Sequence, residues 1–254
     1  MSSVPLLELQ NVGFWYNGRQ VLKGVSFQVQ EGDYLGILGP NGSGKTTLLK
    51  IMLGILSPQE GSVRARGKEV LAGGDFSVFG YVPQHASHAE FRFPVTVREL
   101  VSSGRVPQLP LFGRFKDADR KMVEQSMRTV GILELQNRRV DDLSGGERQK
   151  AFIARALAGN PKILILDEPL TGVDTASQEL FYDFLRDLNE VFRITIILVS
   201  HDVDVLAQQV KSILCLRHEL LYYGSSSDLT KEELVEKLYG SKVKFFPHKE
   251  NHHA

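Results

Sequence analysis

Apolar residues at two different spacings divide the chain into strands and helices. Leu6 to Val12 alternates between apolar and polar positions, and Val21 to Val29 carries β-branched residues at alternate positions, so both segments favour strands. Tyr34 to Leu38 is a short apolar run typical of a buried strand. From Lys45 the apolar spacing becomes that of a helix, which we expect to end at Gly54. A strand, a glycine-rich loop and a helix in this order predict the start of an α/β unit.

The second half of the chain repeats this alternation. Helices are predicted over Gly145 to Leu157 and over Ser177 to Glu190. Wholly apolar strands are predicted over Ile163 to Leu166 and over Ile194 to Ser200. Strands of this kind are buried on both faces, which is typical of a parallel sheet covered by helices on each side. A short polar helix is predicted after Thr230, followed by a polar tail.

The segment between these two parts, residues 91–140, has a different pattern. Pro94, Pro107 and Pro110 interrupt it, and Asp117 to Val130 has the apolar spacing of a charged amphipathic helix. We therefore expect a small helical subdomain inserted into one α/β domain. The expected division is about 1–90 and about 141–225 for the core, and about 226–254 for the C-terminal helix and tail.

Composition and charge narrow the functions open to the chain. Of its 254 residues, 42% are hydrophobic, which is enough for a sizeable core. The 30 Lys and Arg residues are balanced by 30 Asp and Glu residues, which disfavours a nucleic-acid partner because such proteins usually carry a basic excess. Cys215 is the only cysteine, so no intrachain disulfide can form and a reducing compartment fits. Its apolar neighbours predict a buried thiol.

No apolar stretch of the sequence is long enough to span a membrane. The longest purely apolar runs, Ile163 to Leu166 and Ile196 to Val199, are far shorter than the roughly 20 residues of a spanning helix. The segment Met1 to Pro5 lacks the charged head and apolar body of a secretory signal. We therefore expect a soluble protein that another chain must hold at a membrane if it serves a membrane process.

A glycine-rich loop stands between the strand that ends at Leu38 and the predicted helix. Its sequence fits GxxxxGK[ST], a motif whose inward-pointing N–H groups bind the phosphates of a nucleoside triphosphate at a helix N-terminus. The alternative is a chance match in an ordinary glycine turn, which the strand before and the helix after disfavour. We expect Lys45 to reach the β- and γ-phosphates and the Thr46 hydroxyl to coordinate Mg²⁺. The predicted phosphate-binding residues are Gly39, Pro40, Asn41, Gly42, Ser43, Gly44, Lys45, Thr46 and Thr47.

Two carboxylates, Asp167 and Glu168, follow directly after the apolar strand that begins at Ile163. Ligands of open α/β sheets bind at the carboxyl ends of the strands, so we expect both groups near the phosphates. Asp167 is suited to hold Mg²⁺, directly or through water, because this cation prefers oxygen ligands. Glu168 is placed to orient and deprotonate an attacking water. The alternative is an acidic pair that only opens a helix, where acids are favoured.

The run Leu143 to Gln149 is the most informative part of the sequence. Ser144 is predicted to cap a helix whose first turn, Gly145-Gly146, exposes backbone N–H groups and forms a second anion-binding helix N-terminus. One nucleotide needs only one phosphate loop, so a second site indicates that the γ-phosphate is contacted by another copy of the chain. With the order and spacing of the other motifs, this run resembles the signature of the ABC ATPase family, in which Gln is usual where Glu147 stands here.

The resemblance covers Leu7 to about Gly224 and implies the P-loop ABC ATPase fold. That fold has a mainly parallel sheet, an N-terminal antiparallel β-subdomain and an inserted helical subdomain. The resemblance implies ATP and Mg²⁺ as ligands, and a nucleotide-sandwich homodimer in which each phosphate loop faces the partner's segment 144–147. It also implies two polytopic membrane permease subunits and, indirectly, a solute-binding protein as partners. The chain would then lie peripherally at the cytoplasmic face of the inner membrane.

Four further site residues follow from the same resemblance. Tyr16 resembles the aromatic residue that stacks on adenine; Trp15 is a second candidate, and a place in the core is the alternative for both. Gln84 resembles the loop glutamine that contacts Mg²⁺ and the water while sensing the transporter. Asp174 resembles the loop aspartate that communicates across the dimer. His201 resembles the switch histidine near the γ-phosphate, whereas an isolated histidine would more often be structural.

Several stretches resemble importers of manganese, zinc and related metal ions in particular. They are Phe93 to Val101, Gly104-Arg105, Ala118-Asp119, Val130-Gly131 and Thr171 to Asp174. The alternative is that these residues serve packing in many importers. In the tail, His248, His252 and His253 are candidates for weak metal binding, with disordered polar residues as the alternative.

Other functions remain open from the sequence. An ABC ATPase that acts on nucleic acid or chromosomes would need long charged heptad insertions or a basic surplus, and the sequence has neither. An ABC ATPase of iron–sulfur cluster assembly would have similar length and also lack membrane spans, and an importer of another cargo, such as an iron–siderophore complex, would share the same motifs. A simple P-loop kinase or GTPase would leave the segment 144–146 unexplained.

Overall fold

The computed structural model describes residues 4–70, 76–84, 93–110, 113–170, 175–201, 203–228 and 230–240. The strands in these ranges are β1 Leu7–Tyr16, β2 Arg19–Val29, β3 Tyr34–Leu38, β4 Glu60–Ala65, β5 Lys68–Glu69, β6 Phe79–Val82, β7 Ile163–Asp167, β8 Thr195–Ser200, β9 Ser212–Arg217 and β10 Glu219–Ser225. The α-helices are α1 Lys45–Met52, α2 Val97–Ser103, α3 Asp117–Thr129, α4 Gly145–Ala158, α5 Thr175–Glu190, α6 Val203–Gln209 and α7 Lys231–Tyr239.

The strands form one sheet with the order β5-β4-β1-β2-β10-β9-β3-β8-β7-β6. The five strands from β9 to β6 run parallel to one another. The strands β5, β4, β1 and β2 pair in antiparallel fashion, and β10 joins the two parts through a parallel pair with β2 at Glu219 and Lys23. The expected combination of a parallel sheet and an N-terminal antiparallel part is therefore confirmed.

The register of the parallel strands brings several strand ends to one edge of the sheet. Leu38 pairs with Ser200, and Asp167 pairs with Val199. The last residue of β6 lies opposite Leu166. The loops that follow β3, β6, β7 and β8 therefore start side by side, and all four strands carry predicted site residues at or just beyond their ends. For β6 that residue is Gln84.

Hydrophobic clusters cover both faces of the sheet, as β3 illustrates. All five residues of this strand are buried. Leu35 and Ile37 belong to a cluster with β1, β2 and α1, whereas Tyr34 and Leu38 belong to a second cluster that includes α4 and α5. Successive side chains of a strand point to opposite faces, so a strand between two layers must be apolar at every position. This explains why the parallel strands read as continuous apolar runs.

The helices α2 and α3 pack against α4 to form a helical layer. The carboxylate of Asp119 accepts a hydrogen bond of 2.9 Å from the Lys116 N–H and one of 2.8 Å from the Arg105 guanidinium, which ties the start of α3 to the end of α2. The predicted helix from Asp117 is confirmed and ends at Thr129. Because α4 lies beyond residue 140 and belongs to the same layer, the predicted subdomain boundary stays a prediction.

Most predicted elements of the second half are confirmed with small shifts at their ends. The predicted start at Ser177 is at Thr175, and the predicted start at Ile194 is at Thr195. Cys215 is buried in β9, as expected. The helix α6 was not predicted from the sequence. In the part of the chain that the structure describes, no helix is long and apolar enough to cross a membrane.

Candidate functional site

The phosphate loop leaves β3 and curls onto the start of α1. Gly42 and Gly44 have φ angles of 80° and 103°, a left-handed backbone that glycine adopts without a side-chain clash. At Gly39 a β-carbon would lie 2.4 Å from a backbone oxygen of β9, so only glycine fits without a shift. The Ser43 carbonyl accepts a hydrogen bond of 2.8 Å from the N–H of His218, in the turn between β9 and β10. The sheet therefore supports the loop directly.

The start of α1 presents backbone donors to this loop. The first N–H groups of a helix have no intrahelical partners, and the N-terminal end of a helix carries a partial positive charge. The N-cap residue, Gly44, has no side chain that could accept a hydrogen bond from these N–H groups. In the first turn the Thr46 side chain is exposed, whereas Thr47 is buried. This arrangement can bind a phosphate through the backbone, with the Thr46 hydroxyl accessible beside it.

Lys45, the first residue of α1, turns its side chain back over the loop. Its Nζ donates hydrogen bonds to the carbonyl oxygens of Gly39, at 2.7 Å, and Pro40, at 3.3 Å, and lies 3.7 Å from Oε1 of Glu168. Burial lowers the pKa of the Lys45 ammonium, and the carboxylates of Glu168 and Asp167 oppose that shift. The two charges hold each other in a largely water-excluded site.

Asp167 is the last residue of β7, and its carboxylate is buried. The hydroxyl of Tyr81, on the neighbouring strand β6, donates a hydrogen bond of 3.3 Å to Asp167 Oδ2. Burial, and then the charge of Asp167, raise the pKa of Tyr81 to about 12, so the hydroxyl remains a donor at neutral pH. We predicted Asp167 as a metal ligand from the sequence but assigned no role to Tyr81. A tyrosine in a strand of otherwise apolar residues was the available signal, because a buried hydroxyl usually has a partner.

The Glu168 carboxylate is the point at which side chains from three other elements meet. Gln84 Nε2 donates a hydrogen bond of 2.8 Å to Glu168 Oε2, and His201 Nδ1 lies 3.3 Å from the same oxygen. Lys45 approaches the other oxygen, as described above. The Glu168 side chain is only 11% exposed, whereas that of His201 is half exposed. A buried carboxylate with several donors around it, next to a phosphate loop, can hold and deprotonate a water molecule.

Glu168 also has an unusual backbone. Its φ angle is 44°, in the left-handed region that residues other than glycine seldom adopt, and its N–H donates to the Val199 carbonyl at 2.9 Å. Such conformations cost on the order of 1–3 kcal/mol and persist where the surroundings impose them. The bond to β8 and the side-chain contacts supply that constraint here.

The N-terminus of α4 carries the predicted second anion site. Ser144 is the N-cap, and the Glu147 carboxylate accepts hydrogen bonds of 2.8 Å from both the N–H and the hydroxyl of Ser144. These hydrogen bonds, the backbone one first, lower the pKa of Glu147, and Arg138, whose guanidinium lies 3.8 Å away, adds to the shift. Glu147 thus completes a capping box, in which a glutamate or glutamine reaches back to the N-cap, so the departure from the usual glutamine keeps this contact.

Gly145 and Gly146, in the first turn of α4, are exposed. A β-carbon added at either residue would meet no atom of the described chain within 4 Å. Packing within this chain therefore does not require glycine here. Two glycines at an exposed helix N-terminus are what a close approach by an external group would require.

Tyr16 is the more accessible of the two candidate aromatic residues at the end of β1. Its ring is 44% exposed and packs edge-on against Phe14, with 4.9 Å between ring centroids. Trp15 is partly buried, and its backbone N–H and carbonyl are both bonded to the Gln59 side chain. The position of Tyr16 fits an aromatic surface open to a ligand, and its predicted role stays a prediction.

The structure thus brings some predicted residues together and leaves others apart. One group of predicted residues meets at the carboxyl ends of the parallel strands, beside the phosphate loop. This group consists of Lys45, Gln84, Asp167, Glu168 and His201. The described hydrogen bonds and ion pairs do not connect Tyr16 or the segment 144–147 to this group. Asp174 and the tail residues His248, His252 and His253 lie outside the described residues, as does the rest of the segment 171–174.

A glycine-rich loop between a strand and a helix, with a carboxylate pair at the end of a nearby parallel strand, defines a P-loop nucleotide-binding protein. Comparison with known proteins identifies the family more closely. The family described as ABC transporter matches residues 22–171. The zinc uptake system ATP-binding protein ZurA of Listeria innocua is 35% identical over 223 residues, which are 88% of this chain and 87% of that protein.

Two further comparisons agree. The manganese transport system ATP-binding protein MntB of Halalkalibacterium halodurans is 36% identical over 246 residues, or 97% of this chain and 96% of that protein. The ATP-binding cassette MJ0796, in a dimeric post-hydrolysis state bound to ADP and Pi, matches with a TM-score of 0.70 and 27% identity, over 87% of this chain and 98% of that one. The chain belongs to the ABC transporter family, and it is an ATP-binding ATPase subunit.

Proposed function

We propose that this chain binds and hydrolyses ATP for an importer that carries zinc or manganese through separate membrane subunits. The observation that carries the proposal is the convergence of Lys45, Gln84 and His201 on Glu168, beside a glycine loop. Any largely buried carboxylate needs donors around it, so the contacts alone would not indicate a reaction. Their place beside the phosphate loop does, because a hydrolytic centre for a triphosphate needs a base, a cation and a means of holding both.

In the proposed complex the phosphate loop and the first turn of α1 bind the phosphates of ATP. Lys45 lies over the loop, so a small movement of its ammonium from the Gly39 carbonyl would place it on the β- and γ-phosphates. There it would stabilise the charge that develops on the γ-phosphoryl group. Tyr16 would stack on the adenine, since its exposed ring stands at the end of a strand of the same sheet.

Mg²⁺ is the metal ion that we propose to accompany ATP. The groups available near the loop are a hydroxyl from Thr46, a carboxylate from Asp167 and an amide from Gln84. Oxygen donors of this kind suit Mg²⁺, which is usually held by one or two carboxylates together with phosphate oxygens. When bound, Mg²⁺ neutralises part of the charge on the β- and γ-phosphates.

Glu168 is the proposed general base for hydrolysis. Its carboxylate would accept a proton from a water molecule whose oxygen attacks the γ-phosphorus, while the bond from that phosphorus to the β–γ bridging oxygen breaks and leaves ADP. Gln84 and His201 would hold the carboxylate and the water in position. A positioned base typically contributes a factor of about 10² to 10⁴ to the rate.

A second copy of the chain is the proposed source of the remaining phosphate contacts. The exposed glycines 145 and 146 leave room for an external group at the N-terminus of α4, and Ser144 is held there by Glu147. A head-to-tail dimer would place this turn on the γ-phosphate bound by the other copy, with Asp174 near the dimer interface. The dimeric state of the related cassette MJ0796 with ADP and Pi supports this arrangement.

The proposed cargo follows from the zinc uptake and manganese transport relatives, which match most of the chain. The proposed partners are therefore two membrane permease subunits and, through them, a solute-binding protein, with the chain at the cytoplasmic face of the inner membrane. Uptake of an iron–siderophore complex and iron–sulfur cluster assembly are the alternatives. No observation on the described residues favours either of them.

Metal uptake by cells that lack this chain tests the cargo. We expect uptake of radioactive zinc or manganese to fall, to recover with the wild-type chain, and to stay low with Glu168→Gln. Unchanged uptake of both metals, together with impaired uptake of an iron–siderophore complex, would identify another cargo. Purification under mild conditions separates the remaining alternative, because a transporter subunit should co-isolate with a polytopic membrane protein and an assembly factor with soluble ones.

A further inference from the structure

Tyr81 lies in β6, the edge strand of the sheet, and its hydroxyl is the polar group of that strand. The other residues of β6 are apolar or glycine. The parallel register sets it opposite Ile165, two residues before Asp167. Its ring packs against the cluster between α1 and the sheet, as does that of Phe79. The hydroxyl reaches Asp167 Oδ2 at 3.3 Å. The two groups come from strands that are 86 residues apart in the sequence.

Packing alone does not account for the hydroxyl. Phe79 shows that a phenyl ring fits the same face of the same strand, and phenylalanine would pack the same ring without taking a hydroxyl partly out of water. The hydroxyl has one described acceptor, and that acceptor is the carboxylate proposed to hold the metal ion. Hydrogen bonds to the ligands of a metal ion orient them and raise its affinity.

We propose that Tyr81 is a positioning residue for the metal ion: its hydroxyl holds the Asp167 carboxylate in one orientation and thereby strengthens binding of Mg²⁺ together with ATP. The inference rests on the proposed function, because it assumes that Asp167 serves the Mg²⁺ of bound ATP. Loss of an outer hydrogen bond of this kind commonly costs 10- to 100-fold in metal affinity. Mg²⁺ retains several water ligands, so we expect the lower end, about 10-fold.

The variant Tyr81→Phe removes only the hydroxyl. Binding of a fluorescent ATP analogue is measured in EDTA and then at increasing concentrations of Mg²⁺. We expect unchanged nucleotide affinity in EDTA and about a 10-fold increase in the Mg²⁺ concentration at half-saturation. Tyr34→Phe is the matched control, because the Tyr34 hydroxyl is buried in β3 with no hydrogen-bond partner among the described residues, and its loss should leave both measurements unchanged.

A double-variant comparison separates positioning from a general loss of order. In the background Asp167→Ala, which removes the acceptor of the Tyr81 hydroxyl, the further change Tyr81→Phe should have little additional effect on the Mg²⁺ dependence, since the two residues act as a pair. A full additional 10-fold loss in that background would overturn the inference, as would a Mg²⁺ dependence of Tyr81→Phe equal to that of the wild type. Equal losses with and without Mg²⁺ would also overturn it. A wild-type chain that binds no nucleotide would instead contradict the proposed function, and the inference with it.

Discussion

Substitution of Glu168 by glutamine tests the chemistry of the site with little change in its shape. Gln84 and His201 contact one oxygen of the carboxylate, and an amide oxygen can accept hydrogen bonds from the same groups. Lys45 retains its two backbone acceptors in the phosphate loop. The change therefore removes a negative charge and the capacity to take a proton, while most of the contacts around it remain.

The structure allows the two effects of this substitution to be compared. At 3.7 Å, and with an effective dielectric constant of about 20, the Lys45–Glu168 attraction is about 4 to 5 kcal/mol. The loss of hydration costs several kcal/mol for each buried ion, which offsets most of this attraction. The substitution regains the hydration of Glu168 only and leaves the Lys45 ammonium buried without this partner, with the charge of Asp167 still beside it. We therefore expect the free energy of unfolding to fall by about 3 kcal/mol, the lower end for a broken buried pair. Loss of the base should instead raise the barrier to hydrolysis by about 3 to 5 kcal/mol, a factor of about 10² to 10⁴ in turnover.

Phosphate release by the purified chain with Mg²⁺ measures turnover, and binding of a fluorescent ATP analogue measures affinity. We expect turnover of Glu168→Gln to fall at least 100-fold while ATP still binds, and closed dimers to accumulate with ATP in size-exclusion chromatography. Glu179→Gln, at an exposed position of α5, is the matched control and should behave as the wild type. Normal turnover of Glu168→Gln would refute its role as base, whatever its effect on stability.

Three further predictions follow from the described contacts. Gly146→Val should shift the thermal midpoint by no more than about 4 °C, since an added β-carbon meets no described atom. It should nevertheless abolish cooperative ATP hydrolysis, and unaltered cooperativity would contradict the proposed dimer. Glu147→Ala should lower the free energy of unfolding by about 1 kcal/mol in urea, because the Ser144 cap loses its partner, and an unchanged midpoint would contradict this. The hydrogen bonds from Lys116 and Arg105 lower the pKa of Asp119 in the folded chain below its ordinary value of 3.8. The ionised carboxylate therefore stabilises the fold above pH 3.8, and this stabilisation is lost as the pH falls through the pKa of the folded chain. Below about pH 4 the wild type should lose more stability than Asp119→Asn, and parallel unfolding curves would contradict that.

Much of the fold could be predicted because its elements depend on local patterns. The run Tyr34 to Leu38 and the strand from Ile163 are apolar at every position, which is the signature of strands covered on both faces. The helix α6 was missed: it is only seven residues long, too short for a reliable apolar period. The two-residue strand β5 offers even less pattern. Element ends shifted by one or two residues because caps and tertiary contacts decide them.

The site, like the fold, has parts that a short stretch of sequence indicates and parts that depend on contacts between residues far apart in the sequence. The phosphate loop, the capped helix at Ser144 and the pair Asp167-Glu168 are contiguous in sequence, so residue type and order are enough to indicate them. The contacts of Gln84 and His201 with Glu168 bring together residues 84 and 33 positions apart in the sequence. A resemblance to a family can suggest such roles, but the distances and the burial that make the chemistry plausible belong to the folded chain.

The sequence by itself determined the phosphate-binding loop, the acidic pair and the second helix N-terminus, because glycine dihedral freedom, strand apolarity and helix capping act over a few residues. Only the tertiary structure decided that Lys45, Gln84 and His201 share one carboxylate and that Tyr81 contacts Asp167. The physical reason is the order and register of the parallel strands. Hydrogen bonds between β6, β7, β8 and β3 set which strand ends are neighbours, and no local pattern in the chain encodes that pairing.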